Sequence, residues 1–277
     1  MRPAVPVKVE TALPVMPSSG RLSKTGRQCG VSVTEPAFDT DGLFDADYLY
    51  FFAERLEQRS DAEADLIWNL AGLDAGMEVL DLACGHGRIA NRLAERGCRV
   101  TGLDVTESFL RRARQDAASR GVTVDYVQGD MRDLPWRRRF DRVINWYTAF
   151  GYFDDVGNRQ VLAQAAAALR PGGRLAMELN NYVRLVRDFT PGTVKERDGD
   201  LVVDQQHLDP LTSRSIITRT IMRDGVSRRF PFYVRLFSYT ELRDWLHAAG
   251  FAAVTGYGED GSPLTAEHRR MIAVAEL

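Results

Sequence analysis

The segment Asp81-Leu82-Ala83-Cys84-Gly85-His86-Gly87-Arg88 has the composition of a ligand-binding turn. An apolar run, Met77–Leu82, leads into it and a helical pattern follows, so the chain must stop a strand, turn tightly and open a helix. Gly85 and Gly87 permit that turn and let a ligand approach the backbone closely. Amides at the start of the following helix favour an anionic group. On spacing alone, Gly85-x-Gly87-x-x-Ala90 also satisfies the dinucleotide fingerprint, so the glycines do not choose between ligands.

The neighbouring side chains are more selective. Asp81 stands before the turn, where a nicotinamide-binding strand carries an apolar residue. Asp104 ends the next strand, 17 residues after Gly87, where a carboxylate can accept from the two hydroxyls of a ribose. Gly129-Asp130-Met131 follows the third strand; Asp130 can accept an adenine amino group while Met131 lies against the ring. Asn145-Trp146-Tyr147 follows the fourth. Sites at successive strand ends converge on one crevice in an open α/β sheet.

Candidates for proton handling are Tyr147, Glu178 and His207. Glu178 ends an apolar strand, Met177-Glu178-Leu179-Asn180, and reads either as a group that takes a proton from a bound molecule or holds a cationic amine, or as a hydrogen-bonded structural carboxylate. His207 reads as a second base or as a polar surface residue. Tyr48, Tyr147 and Asn180 are the expected substrate contacts, set among aromatic residues that can wall off a cation or line an apolar pocket. His86, between the glycines, either contacts an anionic ligand group or is a tolerated turn residue.

The elements that must position these groups alternate. Helical spacing from Asp45 carries Tyr48, Phe51, Phe52 and Leu56, and Asp61 is expected to cap a second helix through Leu70. Strands are expected at Met77–Leu82, Cys98–Leu103, Val122–Gln128, Asp141–Trp146 and Arg174–Leu179. Helices are expected at Gly87–Arg96, from Thr106 to about Arg120, and at Asp155–Arg170. Such alternation implies a parallel sheet with right-handed crossovers. From about Gly192 the pattern changes to extended segments, Leu201–His207, Arg214–Met222 and Val226–Leu236, separated by turn signals. Helix Tyr239–Ala249 and strands Phe251–Tyr257 and Arg270–Glu276 close the chain. The expected organisation is a disordered tail over residues 1–38 and one catalytic domain over 39–277, with a β-rich insertion or cap over 192–237.

Asp81-Leu82-Ala83-Cys84-Gly85-His86-Gly87, Asp104, Gly129-Asp130-Met131 and Pro171-Gly172-Gly173 together resemble the motifs of class I S-adenosylmethionine (SAM)-dependent methyltransferases, in matching order over about residues 75–180. The resemblance implies a doubly wound α/β fold: a mostly parallel seven-stranded sheet, its last strand antiparallel, with an antiparallel β insertion before the last helix. It implies SAM as cofactor, S-adenosylhomocysteine (SAH) as product, and no metal. Asp81 and the glycine turn, Gly85 and Gly87, would face the methionine end, Asp104 the ribose, and Asp130 with Met131 the adenine. Ala83, Val105 and Asn145 complete the expected cofactor set. The implied reaction is an in-line displacement at a sulfonium carbon, in which the protein aligns the acceptor, excludes water and manages one proton.

The expected acceptor is a nitrogen or oxygen atom of a small molecule: a natural product, sugar or amino-acid derivative. A second reading is a non-methylating protein of the same fold, a cyclase or a SAM/SAH-binding sensor. A nicotinamide-dependent dehydrogenase is disfavoured by Asp81 and by the antiparallel last strand. Nucleic acid is not an expected partner: the formal charge is −2, and Asn145-Trp146-Tyr147-Thr148 lacks the Asn/Asp-Pro-Pro-aromatic motif of exocyclic-amine methyltransferases. Arg137-Arg138-Arg139 reads as a solvated connection. No membrane partner is expected, homodimerisation is left open, and three cysteines without CxxC spacing fit a cytoplasmic protein.

Overall fold

The computed structural model describes residues 40–277. The tail expected over residues 1–38 lies outside the described residues. A short helix α1 (Thr40–Leu43) precedes a 26-residue helix α2 (Ala46–Ala71). Asp45 caps α2, its carboxylate accepting from the amides of Asp47 and Tyr48 at 2.9 and 3.0 Å. Two helices were expected here, the second capped by Asp61. Instead Asp61 is spent on Arg92 at 2.5 Å, Ser60 Oγ donates to the Leu56 carbonyl, and the helix runs through. Gly72, in the left-handed region, ends it.

The alternating part follows as β1 (Glu78–Leu82), α3 (Ala90–Glu95), β2 (Arg99–Asp104), α4 (Glu107–Ser119), β3 (Asp125–Gln128), β4 (Phe140–Asn145), α5 (Asp155–Ala168) and β5 (Leu169–Asn180). Next come α6 (Tyr182–Arg187), four strands β6 (Gly192–Arg197), β7 (Asp200–Asp209), β8 (Arg214–Arg223) and β9 (Val226–Arg235), then α7 (Tyr239–Ala248), β10 (Ala253–Tyr257) and β11 (Arg270–Glu276). The sequence reading missed α6 and β6. β6 is a mostly exposed edge strand without a clear apolar alternation, and its identity rests on pairing with β7.

Seven strands form one sheet in the order β10-β11-β5-β4-β1-β2-β3, in which β11 runs antiparallel to both neighbours. The fold is the doubly wound α/β architecture of class I methyltransferases. Its strand order reverses at β1, flanked by β4 and β2, so the carboxyl ends of those strands open onto a crevice. One face of the sheet is covered by α5 and α7, which bury Val161, Leu162, Trp245 and Leu246 against Phe140, Val143 and Leu175. The other is covered by α2, α3 and α4 through Ile67, Leu93, Leu110 and Ala113. Burial of these large side chains contributes roughly 1.5–3 kcal/mol each.

The remaining strands form a separate antiparallel sheet, β6-β7-β8-β9. Ion pairs fasten it to the start of α2: Arg223 reaches Asp47 at 2.8 Å, and Arg228 reaches both Asp45 and Asp47. At its other end the Arg235 amide donates to the Gly151 carbonyl at 2.7 Å, beyond β4. Among the described residues, no helix is long and apolar enough to cross a membrane.

Candidate active site

A cavity of about 500 Å³ opens at the carboxyl ends of β1, β2 and β4 and extends beneath the second sheet. Of the residues expected at a cofactor site, Asp81, Ala83, Gly85, Asp104, Val105, Asp130 and Met131 line it, and so do the expected substrate contacts Tyr48, Tyr147 and Asn180. Gly87 and Asn145 stand behind the wall. A Cβ on Gly87 would lie 2.2 Å from the Tyr126 hydroxyl, which donates to Asn91 at 2.7 Å, so this glycine lets β3 pack under the turn. Asn145 donates from Nδ2 to the Leu82 carbonyl at 3.0 Å and ties β4 to β1.

Gly85 is different. Its φ is 56°, it faces the cavity, and a Cβ there would meet no protein atom closer than 3.8 Å. Beside it, the buried Asp104 carboxylate accepts from the Gly85 amide at 2.8 Å and the Thr106 amide at 2.9 Å. One carboxylate thus holds the turn against the end of β2 and keeps a second lone pair on each oxygen. Burial raises its pKa despite these donors. Asp81 is buried too, and its Oδ2 has no hydrogen-bond partner among the described residues. Burial, opposed by the charge of Arg88, pushes its carboxyl up to about 7.

Two further buried polar atoms at the wall lack partners among the described residues, His86 Nε2 and Trp146 Nε1. Burial lowers the His86 imidazole to about 4, so the ring is neutral near pH 7. Orphaned buried groups of this kind are costly unless a ligand or water satisfies them. Asp130 is already engaged: both its oxygens accept from Arg132, whose guanidinium lies 4.2 Å from the Phe153 ring centroid.

The proton-handling candidates separate. Glu178 does not line the cavity. Arg270 grips both its oxygens and also donates to Asn180 and to Thr148 Oγ1. Glu178 Oε2 further accepts from the Tyr147 amide at 2.8 Å, and its carbonyl accepts from Thr148 at 2.9 Å. Tyr147 and Thr148 both have positive φ, 62° and 54°, a pairing that is sterically unfavourable away from glycine. The Glu178–Arg270 network holds that turn and places the Tyr147 ring beneath two guanidinium groups, Arg88 at 5.4 Å and Arg270 at 5.7 Å. His207 is not brought to the cavity. It lies on β7 three residues after Asp204, so strand alternation turns it to the exposed face.

Aromatic rings build the rest of the wall. Tyr48 stacks on Phe52 at 5.0 Å and approaches Phe109 at 5.6 Å, while Phe44 contacts Tyr48 and Tyr152 edge-on. Phe232, Ile217 and Val234 face them from the second sheet, with Asp204 and Arg219. Arg88, Asp204 and Arg219 were missed in the sequence. A buried arginine beside a glycine turn was the available signal for the first; the other two are opposed only across the β7–β8 hairpin.

Residues 79–173 match the methyltransferase domain family. By this match, that segment of the chain is similar to methyltransferase domains. Over 136 residues it is 30% identical to the putative methyltransferase YqeM of Bacillus subtilis, 48% of this chain and 55% of that protein, so it spans about half the length of that relative. The glycine/sarcosine N-methyltransferase of Parasynechococcus marenigrum is 27% identical over 231 residues, covering 78% and 79% of the two chains. Among solved structures, a SAM-dependent methyltransferase from Clostridium acetobutylicum superposes with a TM-score of 0.68 at 17% identity, covering 82% of this chain and 97% of that one, a likeness of fold.

Proposed function

We propose that this protein transfers the methyl group of SAM to a nitrogen of a small-molecule acceptor held in the aromatic half of the cavity. The observation that carries the reading is one continuous cavity that joins Asp81, Gly85, Asp104 and Asp130 to the aromatic wall closed by the second sheet. SAM, when bound, supplies a methyl carbon made electrophilic by its sulfonium. The chain's own residues bind, orient and keep water out. Asp104 accepts from the ribose hydroxyls, Asp81 faces the methionine ammonium, Gly85 admits the cofactor backbone, and Met131 lies against the adenine, with Ala83 and Val105 at the rim. Asp130 serves the adenine amino group with the lone pairs that Arg132 leaves.

Nitrogen is favoured over oxygen because the carboxylates nearest the acceptor are committed to guanidinium groups, Asp204 to Arg219 and Glu178 to Arg270. A hydroxyl acceptor needs a base, and His86, lowered to about 4, is a weak one. A neutral amine brings its own lone pair. The largely aromatic wall disfavours the charged ammonium by desolvation and so favours the unprotonated form. The N-methyltransferase among the relatives is in keeping with this choice. Incubation with SAM and a panel of amino sugars, aryl amines and amino acids, each beside its alcohol analogue, tests it by mass spectrometry. SAH forming in step with a methylated amine is expected; acceptor loss without SAH, or methylation confined to alcohols, contradicts it.

The raised carboxyl of Asp81 gives this reading a pH signature. In the free protein the group is protonated below about 7, whereas a ligand ammonium needs it ionised. Binding therefore releases a proton, and SAM affinity is expected to weaken about tenfold per pH unit below that value. Stability of the free protein follows the opposite sign. The raised value contributes stability that is fully present below the ordinary 3.8 and is lost as the pH rises through about 7. Calorimetric titration between pH 5.5 and about 8 checks the slope, and Asp81→Asn should flatten it.

A further inference from the structure

The face of the second sheet that meets the cavity carries one polar pair among apolar residues. Asp204 on β7 and Arg219 on β8 stand directly opposite one another, as do Ile217 and Phe232 on β8 and β9. Arg219 donates from Nε and Nη2 to the two oxygens of Asp204, each at 2.7 Å, a forked geometry that fixes the guanidinium plane. Phe52 of α2 and Phe232 each place a ring centroid 5.2 Å from it. The Arg219 side chain is only 11% exposed. Its Nη1 has no hydrogen-bond partner among the described residues, and it is not sealed away as a buried unsatisfied atom. A rigid, charge-compensated guanidinium therefore presents two N–H bonds at the cavity wall.

From this we infer that Arg219 selects the acceptor, donating from Nη1 to a carbonyl or hydroxyl oxygen of an uncharged molecule whose apolar body packs on Tyr48, Phe52 and Phe232. The inference rests on the methyl-transfer reading of the same cavity and adds the substrate class to it. Charge decides against ionic acceptors. Arg219 is neutralised by Asp204, Arg270 by Glu178, Arg88 by Glu63 and Arg132 by Asp130, so the guanidinium groups around the acceptor carry no net charge, and Lys195, 3.8 Å from the Phe52 ring centroid, is not one of the residues lining the cavity. An anion would meet a guanidinium already satisfied by a carboxylate. A cation would find that carboxylate already occupied by the guanidinium. A neutral oxygen gains a charge-assisted hydrogen bond and incurs no ionic desolvation.

Three matched probes test the proposal on the SAH-loaded protein: para-aminoacetophenone with a neutral carbonyl, para-aminobenzoate with a carboxylate, and para-ethylaniline with no oxygen. By ligand-observed NMR or calorimetry, the ketone is expected to bind about 10- to 100-fold more tightly than the ethyl compound, the worth of one hydrogen bond to a charged donor. It should also bind more tightly than the carboxylate. The paired substitution Asp204→Leu with Arg219→Met removes the donor without leaving either charge buried and alone. That variant should keep its SAH affinity and lose the ketone preference. Tighter binding of para-aminobenzoate, no difference among the probes, no binding of any of them, or a preference that survives in the double variant overturns the proposal. Failure of the wild-type protein to bind SAH would instead defeat the underlying methyl-transfer reading.

Discussion

Replacing Asp104 with alanine is expected to weaken SAH binding by about two orders of magnitude or more. The buried carboxylate accepts from two backbone amides, Gly85 and Thr106, and under the proposed role from the ribose as well. Hydrogen bonds to a charged group are worth roughly 1.5–3 kcal/mol each, so losing the ribose contacts alone exceeds the ~2.7 kcal/mol that corresponds to a hundredfold. The turn is damaged at the same time, because both amides lose their acceptor. Asp104→Asn separates the effects. It retains an acceptor oxygen for one amide and should bind between wild type and alanine. Calorimetric titration with SAH, beside thermal unfolding of each variant, reads binding apart from folding. An alanine variant within about threefold of wild type would remove Asp104 from the cofactor site.

The second large effect concerns stability. Glu178→Ala leaves Arg270, whose side chain is 16% exposed, without its carboxylate and frees the Tyr147–Thr148 turn from its anchor. Breaking one side of a buried pair typically costs about 3–5 kcal/mol, and two left-handed residues no longer held in place add to it. The expected result is a large drop in the urea midpoint. Glu178→Gln keeps an acceptor for the Tyr147 amide and should lose less. This differs from the behaviour of a general base, for which both variants would fold normally and turn over slowly. Urea unfolding beside single-turnover kinetics distinguishes the two: wild-type stability with slowed methyl transfer would restore Glu178 to the chemistry.

The anchoring role proposed for Glu178 marks the limit of what residue types and local spacing reveal. The sheet was legible because each strand end carries its own signal: Asp81 with the glycine turn, Asp104, Asp130, and the Pro171-Gly172-Gly173 break. These depend on local backbone rules and alternation. Glu178 was visible as an odd carboxylate on an apolar strand, but its partner Arg270 comes 92 residues later, from the strand that inserts antiparallel beside it. Only that register reveals the pairing that favours an anchor over a base. His207 fell the same way: alternation along β7 fixes its face, and the face is known only once the sheet is seen to meet the cavity through Asp204. Along α2, Asp61 pairs with Arg92 instead of capping a second helix. For Glu178 a guanidinium–carboxylate contact distant in sequence, and for His207 the facing of a whole sheet, lay beyond local inference.

The most direct test of the account is calorimetric titration of the purified protein, shown free of co-purified nucleoside, with SAM and with SAH. Stoichiometric binding of both, at micromolar affinity or better, is the predicted result. No binding of either ligand by folded protein would mean that the turn serves another purpose and would contradict the methyl-transfer reading.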